Sequence, residues 1–496
     1  MSDRTKAAGG AARHSTSAIL ALASASYGLI VVDASIVITG LPNIRRDLGF
    51  TPETLSWAPN AYTLTFGGFM LLAARAGDMF GVRRTYLAGL ALFAFASTLV
   101  GLAPDAATMV AARALQGLGA ATLATSSLAL LQRAFPPGPA RTRALAIYTA
   151  AAAVGASLGL VAGGLFADLL SWRVGFLVNA PIALGLWLVA RRQVTGNVAG
   201  GQVAANGRAR DRLDVAGALT STLGMTTLVY AAVRSAEAGW SDPAALAALG
   251  VSAVSLAVFA TIETRVARPI MPPRLLASLE RTGAYAARML YLGANFGFFF
   301  FSTQYMQVGL GYRPAAAGLA YLPAMLVNVA AARAVPALIR RLGNGRTIVA
   351  GFALSASGMA WLSWAGASST YLGALLGPTL LIGAGQGLAF APLTSAGIAG
   401  VADEDAGAAS GLLNAAHQLG GSLGIGALVS IAALGAEGTT GVAFAIARLR
   451  TAMEGATGFV LVAVLVVAAT IMRNPAARDR GRRTAPALPS PAPVGA

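Results

Sequence analysis

Long apolar runs, separated by short polar segments, organise this chain from end to end. Each run is about 20 residues long, which is the length that a helix needs to cross a hydrocarbon core of about 30 Å. Alternation of apolar and polar residues, the pattern of a membrane β-barrel strand, is missing from these runs. An all-α membrane protein with fourteen spans is therefore predicted, at 18–40, 57–77, 85–103, 106–132, 141–167, 174–190, 214–234, 244–264, 283–309, 316–338, 347–366, 370–396, 406–434 and 455–472.

The polar segments between the runs divide the chain into predicted domains. Six spans precede a polar, glycine-containing segment, two spans follow it, and six more come after a basic loop. This order predicts two six-helix bundles with a helix pair inserted between them. The predicted regions are a cytoplasmic N-terminal tail at 1–17, a six-helix bundle at 18–190, a cytoplasmic linker at 191–213, the inserted pair and basic loop at 214–282, a second six-helix bundle at 283–475, and a disordered basic cytoplasmic tail at 476–496.

The charged residues agree with a membrane protein and orient the spans. Only 11% of the chain is charged, against about 25% in a soluble protein. The 36 basic residues outnumber the 19 acidic ones, and most of them fall in the segments on the side of both termini. Because basic loops stay in the cytoplasm, both termini are predicted to be cytoplasmic, in a bacterial inner membrane. The positive charge then reflects topology, and a nucleic-acid-binding surface is not favoured.

Several kinds of chemistry lack the residues that they require. The chain has no cysteine and two histidines, so it offers neither disulfides nor a histidine cluster for zinc or haem. Its lysine, Lys6, does not follow a glycine-rich loop, so a Walker A phosphate-binding loop is missing. No cofactor or metal is predicted, and any transport would draw its energy from an ion gradient rather than from ATP.

Six segments resemble the motifs of one transporter family, the Major Facilitator Superfamily. Residues 74–87 (ARAGDMFGVRRTYL) are similar to the loop after its second helix, 109–121 (MVAARALQGLGAA) to its fourth-helix motif, and 155–164 (GASLGLVAGG) to its fifth-helix antiporter motif. The patterns of the fourteen-helix drug:proton antiporter branch are similar to 32–42 (VDASIVITGLP), 171–181 (SWRVGFLVNAP) and 405–421 (DAGAASGLLNAAHQLGG).

The resemblance implies roles for the residues of three of these motifs. The loop would form an inner latch that breaks and re-forms as the bundles rock, although turn formation and topology alone would also explain it. Its residues are Gly77, Asp78, Gly81, Arg83 and Arg84. The fourth-helix motif contributes Arg113, Gln116 and Gly117, and the fifth-helix motif contributes Gly155, Gly159, Gly163 and Gly164. Three of these glycines recur every four residues, so they share a face that suits close helix packing.

Asp33 and Arg113 are the most informative charged pair. Both are predicted to lie about eight residues from the outer ends of their spans, which places them at a common depth. A charge within a bilayer is costly, so such residues face a cavity and pair with each other. The family resemblance also puts the first and fourth helices side by side. Our hypothesis is that Asp33 binds the coupling proton next to Arg113, and the alternative is a static ion pair that fixes helix packing.

Polar and aromatic residues in three spans are candidates for substrate contacts. Binding pockets for amphiphilic molecules are mostly apolar with a few polar anchors. The same residue types also join membrane helices by hydrogen bonds, so a purely structural role remains open. The candidates are Asn60, Tyr62, Asn295, Gln304, Gln307 and His417.

The predicted function is proton-driven efflux of small amphiphilic organic compounds such as drugs, antibiotics or toxic metabolites. Its partners would be a small-molecule substrate, protons and the lipid bilayer, with no nucleic acid and no obligatory protein partner. A proton-coupled importer of the same fold is the alternative, because Leu160 stands where the fifth-helix antiporter motif usually has proline. A membrane-embedded enzyme is disfavoured, because Asp33 is the only acid placed well within a span.

Overall fold

The computed structural model describes residues 2–52, 54–135, 139–194, 214–266, 269–367, 369–402 and 405–473. Most of the predicted linker, the predicted C-terminal tail and the side chain of Asp78 lie outside the described residues. The described part is helical and contains no β-strand. Its α-helices are α1 (Ser2–Leu48), α2 (Trp57–Phe80), α3 (Val82–Gly101), α4 (Ala106–Ala134), α5 (Pro139–Leu169), α6 (Trp172–Leu177), α7 (Asn179–Gln193), α8 (Val215–Ala238), α9 (Pro243–Arg265), α10 (Leu279–Gln304), α11 (Pro314–Leu319), α12 (Leu322–Leu342), α13 (Asn344–Leu362), α14 (Leu376–Gly397), α15 (Ala406–Gly435) and α16 (Gly441–Thr470).

These helices form fourteen membrane crossings in the described residues when α6 is counted with α7 and α11 with α12. Ten of the crossings are long and apolar enough to span a bilayer on composition alone. The other four, α2, α5, α10 and α13, are 24, 31, 26 and 19 residues long. Short π-helical turns extend α10 at Tyr305–Gly309 and precede α14 at Tyr371–Leu375. The predicted all-α membrane fold is confirmed.

Three predicted helix ends are wrong. The first helix begins at Ser2 rather than at 18, and the other two ends are extended by tertiary contacts. The first helix continues past residue 40 to Leu48, where Asn43 donates a hydrogen bond to the carbonyl of Ala167 on α5. The last helix begins at Gly441 rather than near 455. Its early arginines, predicted to lie in a loop, donate instead to backbone carbonyls: Arg448 to Pro52 and Arg450 to Ser363. These bonds satisfy polar groups that the apolar pattern alone would exclude from a span.

The helices pack into two halves, α1–α7 and α10–α16, each of six crossings. Small residues allow the backbones to approach within each half. A Cβ added to Gly119 on α4 would lie 2.9 Å from the backbone of Phe93 on α3. One added to Gly293 on α10 would lie 2.9 Å from the Cα of Gly424 on α15. Both termini of the helical region lie at one end of the molecule, called here the terminal end, and the opposite end is called the distal end.

The inserted helix α8 lies across the seam where α2 of the first half meets α15 of the second. The Thr222 hydroxyl donates a 2.7 Å hydrogen bond to the carbonyl of Gly68 on α2. On the other side, a Cβ added to Gly426 of α15 would lie 3.1 Å from the carbonyl of Ala232. Leu64, Val229, Val233 and Leu419 form an apolar cluster along this seam. The inserted pair is therefore packed against both halves through α8.

Candidate functional site

Asp33 is completely buried in the first half and is bound by three side chains. Its Oδ2 accepts a 2.7 Å hydrogen bond from Nη1 of Arg113, which forms an ion pair. Its Oδ1 accepts from Nε2 of Gln116 at 2.8 Å and from Nδ2 of Asn179 at 2.7 Å. The carboxylate on α1 is thus joined to α4 twice and to α7 once. A buried charge is tolerated where it is both paired and hydrogen-bonded, and this arrangement supplies both.

Arg113 is also completely buried, and its remaining contacts hold the guanidinium in place. Its Nη1 donates to Oε1 of Gln116 at 2.7 Å, and its Nε donates to the carbonyl of Ala58 at 3.1 Å. The ring of Tyr62 covers the guanidinium, with 4.3 Å between the Arg113 Cζ and the ring centroid. Gln116 in turn donates to the Ser97 hydroxyl at 2.7 Å. The network therefore connects α1, α2, α3, α4 and α7 around one carboxylate.

Glycines set the backbone distances around this network. The backbone of α2 at Tyr62 and Phe66 lies so close to Gly117 that a Cβ there would overlap it. On the other side of α1, a Cβ on Gly159 of α5 would lie 2.5 Å from the carbonyl of Val32, the residue before Asp33. Gly155 and Gly163 face α1 in the same way, against Gly28 and Ile36. The fifth-helix glycines thus pack along the helix that carries Asp33.

Gly164 lies at the distal part of α5 and contacts the second half instead. A Cβ there would lie 2.5 Å from the carbonyl of Pro314 at the start of α11, and one on Gly318 would lie 2.5 Å from the carbonyl of Leu160. Nearby, Arg313 forms a 2.9 Å ion pair with Asp168. Because α5 contacts α1 along one face and α11 along another, it links the Asp33 network to the contact between the halves.

The two halves are joined at the distal end and at mid-depth by further hydrogen bonds. Gln307 donates to the carbonyl of Thr39 at 2.7 Å, and Arg448 donates to the carbonyl of Pro52 at 3.2 Å. At mid-depth the hydroxyls of Thr63 and Ser422 share a hydrogen bond of 2.5 Å. These bonds, with the Arg313–Asp168 ion pair, describe a conformation in which the distal end is closed.

A cavity of about 530 Å³ lies between the halves at this closed end. Two of the predicted substrate residues, Gln304 and Gln307, line it together with Arg45 and Arg46. A second cavity of about 140 Å³ lies next to it, and Arg45 and Gln304 also line this one. The larger cavity is within the volume range of small-molecule sites, about 300–1,000 Å³, and the smaller one is well below it.

The other predicted substrate residues lie elsewhere in the fold. Tyr62 covers Arg113, and Asn60 is buried with neither amide atom bonded among the described residues. Asn295 donates to the carbonyl of Tyr291 and accepts from Gln386, so it joins α10 to α14. His417 contacts Arg288 in the second half. The structure therefore divides the six candidates among several locations.

The predicted inner latch is only partly described. Gly81 has φ +88°, a conformation that favours glycine, and it separates α2 from α3. Arg83 donates to the carbonyls of Val194 and Arg191 at the end of α7. Arg84 is exposed. A Cβ at Gly77 would meet only Val82, at an ordinary 3.9 Å, so no close helix approach explains that glycine.

Asn179 and Ser97 complete the network, but neither was among the site residues predicted from the sequence. Asn179 lies in the segment 171–181 that resembled the antiporter branch, which was the available signal. Ser97 is a single hydroxyl in an apolar span, and nothing in its sequence surroundings distinguishes it. Within the described residues, no group of three histidine, aspartate or glutamate side chains is placed to hold a metal ion.

Comparisons with known proteins agree with this architecture. The sequence pattern described as Major Facilitator Superfamily matches residues 23–425. The cephamycin export protein CmcT of Amycolatopsis lactamdurans is 39% identical over 478 residues, 96% of this chain and 95% of that protein. The puromycin resistance protein pur8 of Streptomyces alboniger is 38% identical over 81% of this chain and 79% of that protein.

A solved structure shares the fold at low sequence identity. It is a bacterial homologue of the human lysosomal transporter Spinster, crystallised in an inward-facing and unoccupied conformation. The TM-score is 0.64 with 13% identity, and the match covers 92% of this chain and 98% of that chain. At this identity the likeness concerns the fold alone.

Proposed function

This chain belongs to the Major Facilitator Superfamily, and from that membership we propose that it is a proton-driven exporter of small amphiphilic organic compounds, such as antibiotics, drugs or toxic metabolites. The relatives named for cephamycin export and puromycin resistance support efflux. They do not favour the importer that the missing proline at Leu160 had left open. Family membership also argues for transport rather than catalysis, with protons and no cofactor as the energy source.

The single observation that carries proton coupling is the buried ion pair between Asp33 and Arg113. Asp33 can exist as a charged partner of Arg113 or as a neutral acid, whereas Arg113 stays charged because arginine does not deprotonate in proteins. Protonation of Asp33 therefore removes one charge from the pair and leaves the other. Gln116 can still accept from Arg113, and Tyr62 still covers the guanidinium, so the cation keeps partners while the ion pair is broken.

Coupling to transport would pass through α5. Its glycine face touches α1 at Val32, next to Asp33, and its distal part touches α11 through Gly164 and Gly318. A displacement of α1 would therefore shift α5 against α11. Protonation of Asp33 from the open distal side would favour closure of that end, and release of the proton with substrate bound would loosen it again. Alternating access by rocking of the two halves fits this arrangement. Protons moving down their gradient would enter from the distal side, and substrate would leave there.

The proposed orientation places the terminal end in the cytoplasm of a bacterium. The arginine-rich segments at that end support it through the positive-inside rule. The distal cavity would then open toward the outside when the contact between α5 and α11 separates. The inner latch at 74–87 would act at the cytoplasmic face, where Arg83 holds the end of α7.

Transport in inverted membrane vesicles tests this proposal. An inward proton gradient is imposed, and accumulation of a panel of cationic, zwitterionic and anionic amphiphilic dyes is followed. Wild-type protein is expected to accumulate at least one dye only with the gradient, and Asp33→Asn is expected to abolish that dependence. Glu437→Gln, which removes an exposed acid from a distal loop, is the matched control and should transport normally. Gradient-driven uptake by Asp33→Asn at the wild-type rate would rule out Asp33 as the coupling site.

A further inference from the structure

Arg288, in the second half, is a buried cation without a counter-charge. Its residue is 4% exposed, and no carboxylate among the described residues forms an ion pair with it. This contrasts with Arg113 in the first half, which is equally buried and pairs with Asp33. Burying an unpaired charge is costly, so the lack of an acid at Arg288 calls for a physical explanation. Snorkelling toward the membrane surface, the simplest one for an arginine near a helix end, does not fit a side chain this deeply buried.

The contacts that Arg288 does make are all with neutral groups. Its Nη1 donates to the Thr394 hydroxyl at 2.9 Å, and its Nη2 lies 3.3 Å from Nδ1 of His417. Because arginine only donates, Nδ1 of His417 must be the acceptor and therefore carries no proton. The ring of Phe390 covers the guanidinium at 4.4 Å. The Nε of Arg288 has no hydrogen-bond partner at all among the described residues.

The surroundings of Arg288 face the seam between the two halves. Gln418, the residue after His417, lies against α2 of the first half, where a Cβ added to Gly67 would lie 2.8 Å from the Gln418 Cβ. Phe390 is 41% exposed, although its ring lies under the Arg288 guanidinium and packs edge-on against the His417 ring. Phe296 also packs edge-on against the His417 ring. An unpaired cation, a free donor and two aromatic rings therefore meet beside the seam.

The distal cavities carry the same sign of charge. The residues that line the larger one include Arg45 and Arg46, and those of the smaller one include Arg45 and Arg448. Among the described residues, the lining of neither cavity includes an aspartate or a glutamate. A seam with a buried cation toward the terminal end and arginines at its closed distal end would favour an anion along its length.

We propose that Arg288 binds the carboxylate of the exported compound, with Phe296 and Phe390 packing against its apolar body. The free Nε and the guanidinium edge can donate to a carboxylate in the bidentate geometry that arginine favours. The negative counter-charge that Arg288 lacks among the described residues is then supplied by the substrate. This inference rests on the proposed export function and narrows its substrate class to amphiphiles that carry an anionic group.

Equilibrium binding of a matched dye pair tests the proposal without a proton gradient. The purified full-length protein, in phosphatidylcholine nanodiscs, is titrated with rhodamine B and with its ethyl ester, which differ only in the free carboxylate. Wild type is expected to bind the carboxylate form about tenfold or more tightly, as expected for a charged hydrogen bond. Arg288→Gln should lose this preference and keep its affinity for the ester. Arg333→Gln, which removes an exposed arginine of α12, should keep the preference.

Several results would overturn the assignment. If the wild type binds both dyes equally, or binds neither, it has no carboxylate site of this kind. If Arg288→Gln keeps the preference, the carboxylate does not bind at Arg288. If Arg288→Gln does not fold, Arg288→Lys retains the charge without the guanidinium fork and should show a reduced preference. If the preference disappears in phosphatidylglycerol nanodiscs, the anionic lipid headgroup occupies Arg288. The anion bound there would then be a lipid headgroup rather than the carboxylate of the exported compound. Because binding needs no gradient, failure of proton coupling would leave these results unchanged.

Discussion

Gly159 of α5 lies directly against the backbone carbonyl of Val32, one residue before Asp33. The contact leaves no room for a Cβ and fixes the distance between α5 and the part of α1 that carries the buried carboxylate. The position of Asp33 relative to Arg113 therefore depends on a helix that contributes no polar side chain to the network.

Gly159→Ala is expected to impair both stability and transport. The added methyl group must push α1 and α5 apart, and such overpacking costs about 1–3 kcal/mol. Thermal unfolding of the purified protein and gradient-driven transport measure the two effects. Gly458→Ala in α16 is the control, because a Cβ there meets nothing within 4 Å, and it should be neutral or slightly stabilising. Equal behaviour of the two variants would mean that the α1–α5 distance is not critical.

Removing the charge of Asp33 should destabilise the protein more than removing the pair. Asp33→Asn leaves the buried Arg113 without a counter-charge, and breaking a buried pair costs about 3–5 kcal/mol. The double variant Asp33→Asn/Arg113→Gln has no stranded charge and is expected to recover much of the unfolding temperature without recovering proton coupling. A double-mutant cycle on unfolding free energies gives the coupling energy. A coupling energy near zero would contradict the ion pair.

Closure of the distal end can be locked chemically because the chain contains no cysteine. Asp168→Cys/Arg313→Cys replaces the ion pair that joins α5 to α11 with two thiols. A short bifunctional methanethiosulfonate reagent should link them, block transport and be reversed by a reductant. Each single variant, treated in the same way, should transport normally. Full transport by the cross-linked protein would show that this contact does not open during the cycle.

The ion pair between Asp405 and Arg274 gives a pH-dependent contribution to stability outside the spans. Two hydrogen bonds from Arg274, of 2.5 and 2.8 Å, hold the pKa of Asp405 below its ordinary value. The stabilisation is therefore complete above the pKa of the unfolded chain, about 3.9, and is lost as the pH falls through the lower folded-state pKa. Wild type should unfold at a higher temperature than Asp405→Asn at pH 7, and the difference should shrink below about pH 4. A difference that does not change with pH would argue against the pair.

The sequence by itself determined the class of the protein and much of its order. Apolar runs of membrane length predicted the crossings because a helix in lipid must satisfy its own backbone. The motifs around Arg113 and Gly159 pointed to the family, because an arginine followed by Gln-Gly and glycines at every fourth position match the pattern of its helix motifs. A shared depth suggested that Asp33 and Arg113 could meet, although α1 ends at Leu48, eight residues later than predicted.

Only the tertiary structure decided which side chains share a site. Asn179 reaches Asp33 from a helix nearly 150 positions away in the chain, and no local pattern reports such a contact. That no described carboxylate pairs with Arg288 is likewise not visible in the sequence, because it depends on every helix packed around that side chain. Apolar periodicity specifies where a helix lies in the bilayer, whereas the rotation and contacts of each helix are fixed by close packing between helices, which only the folded structure contains.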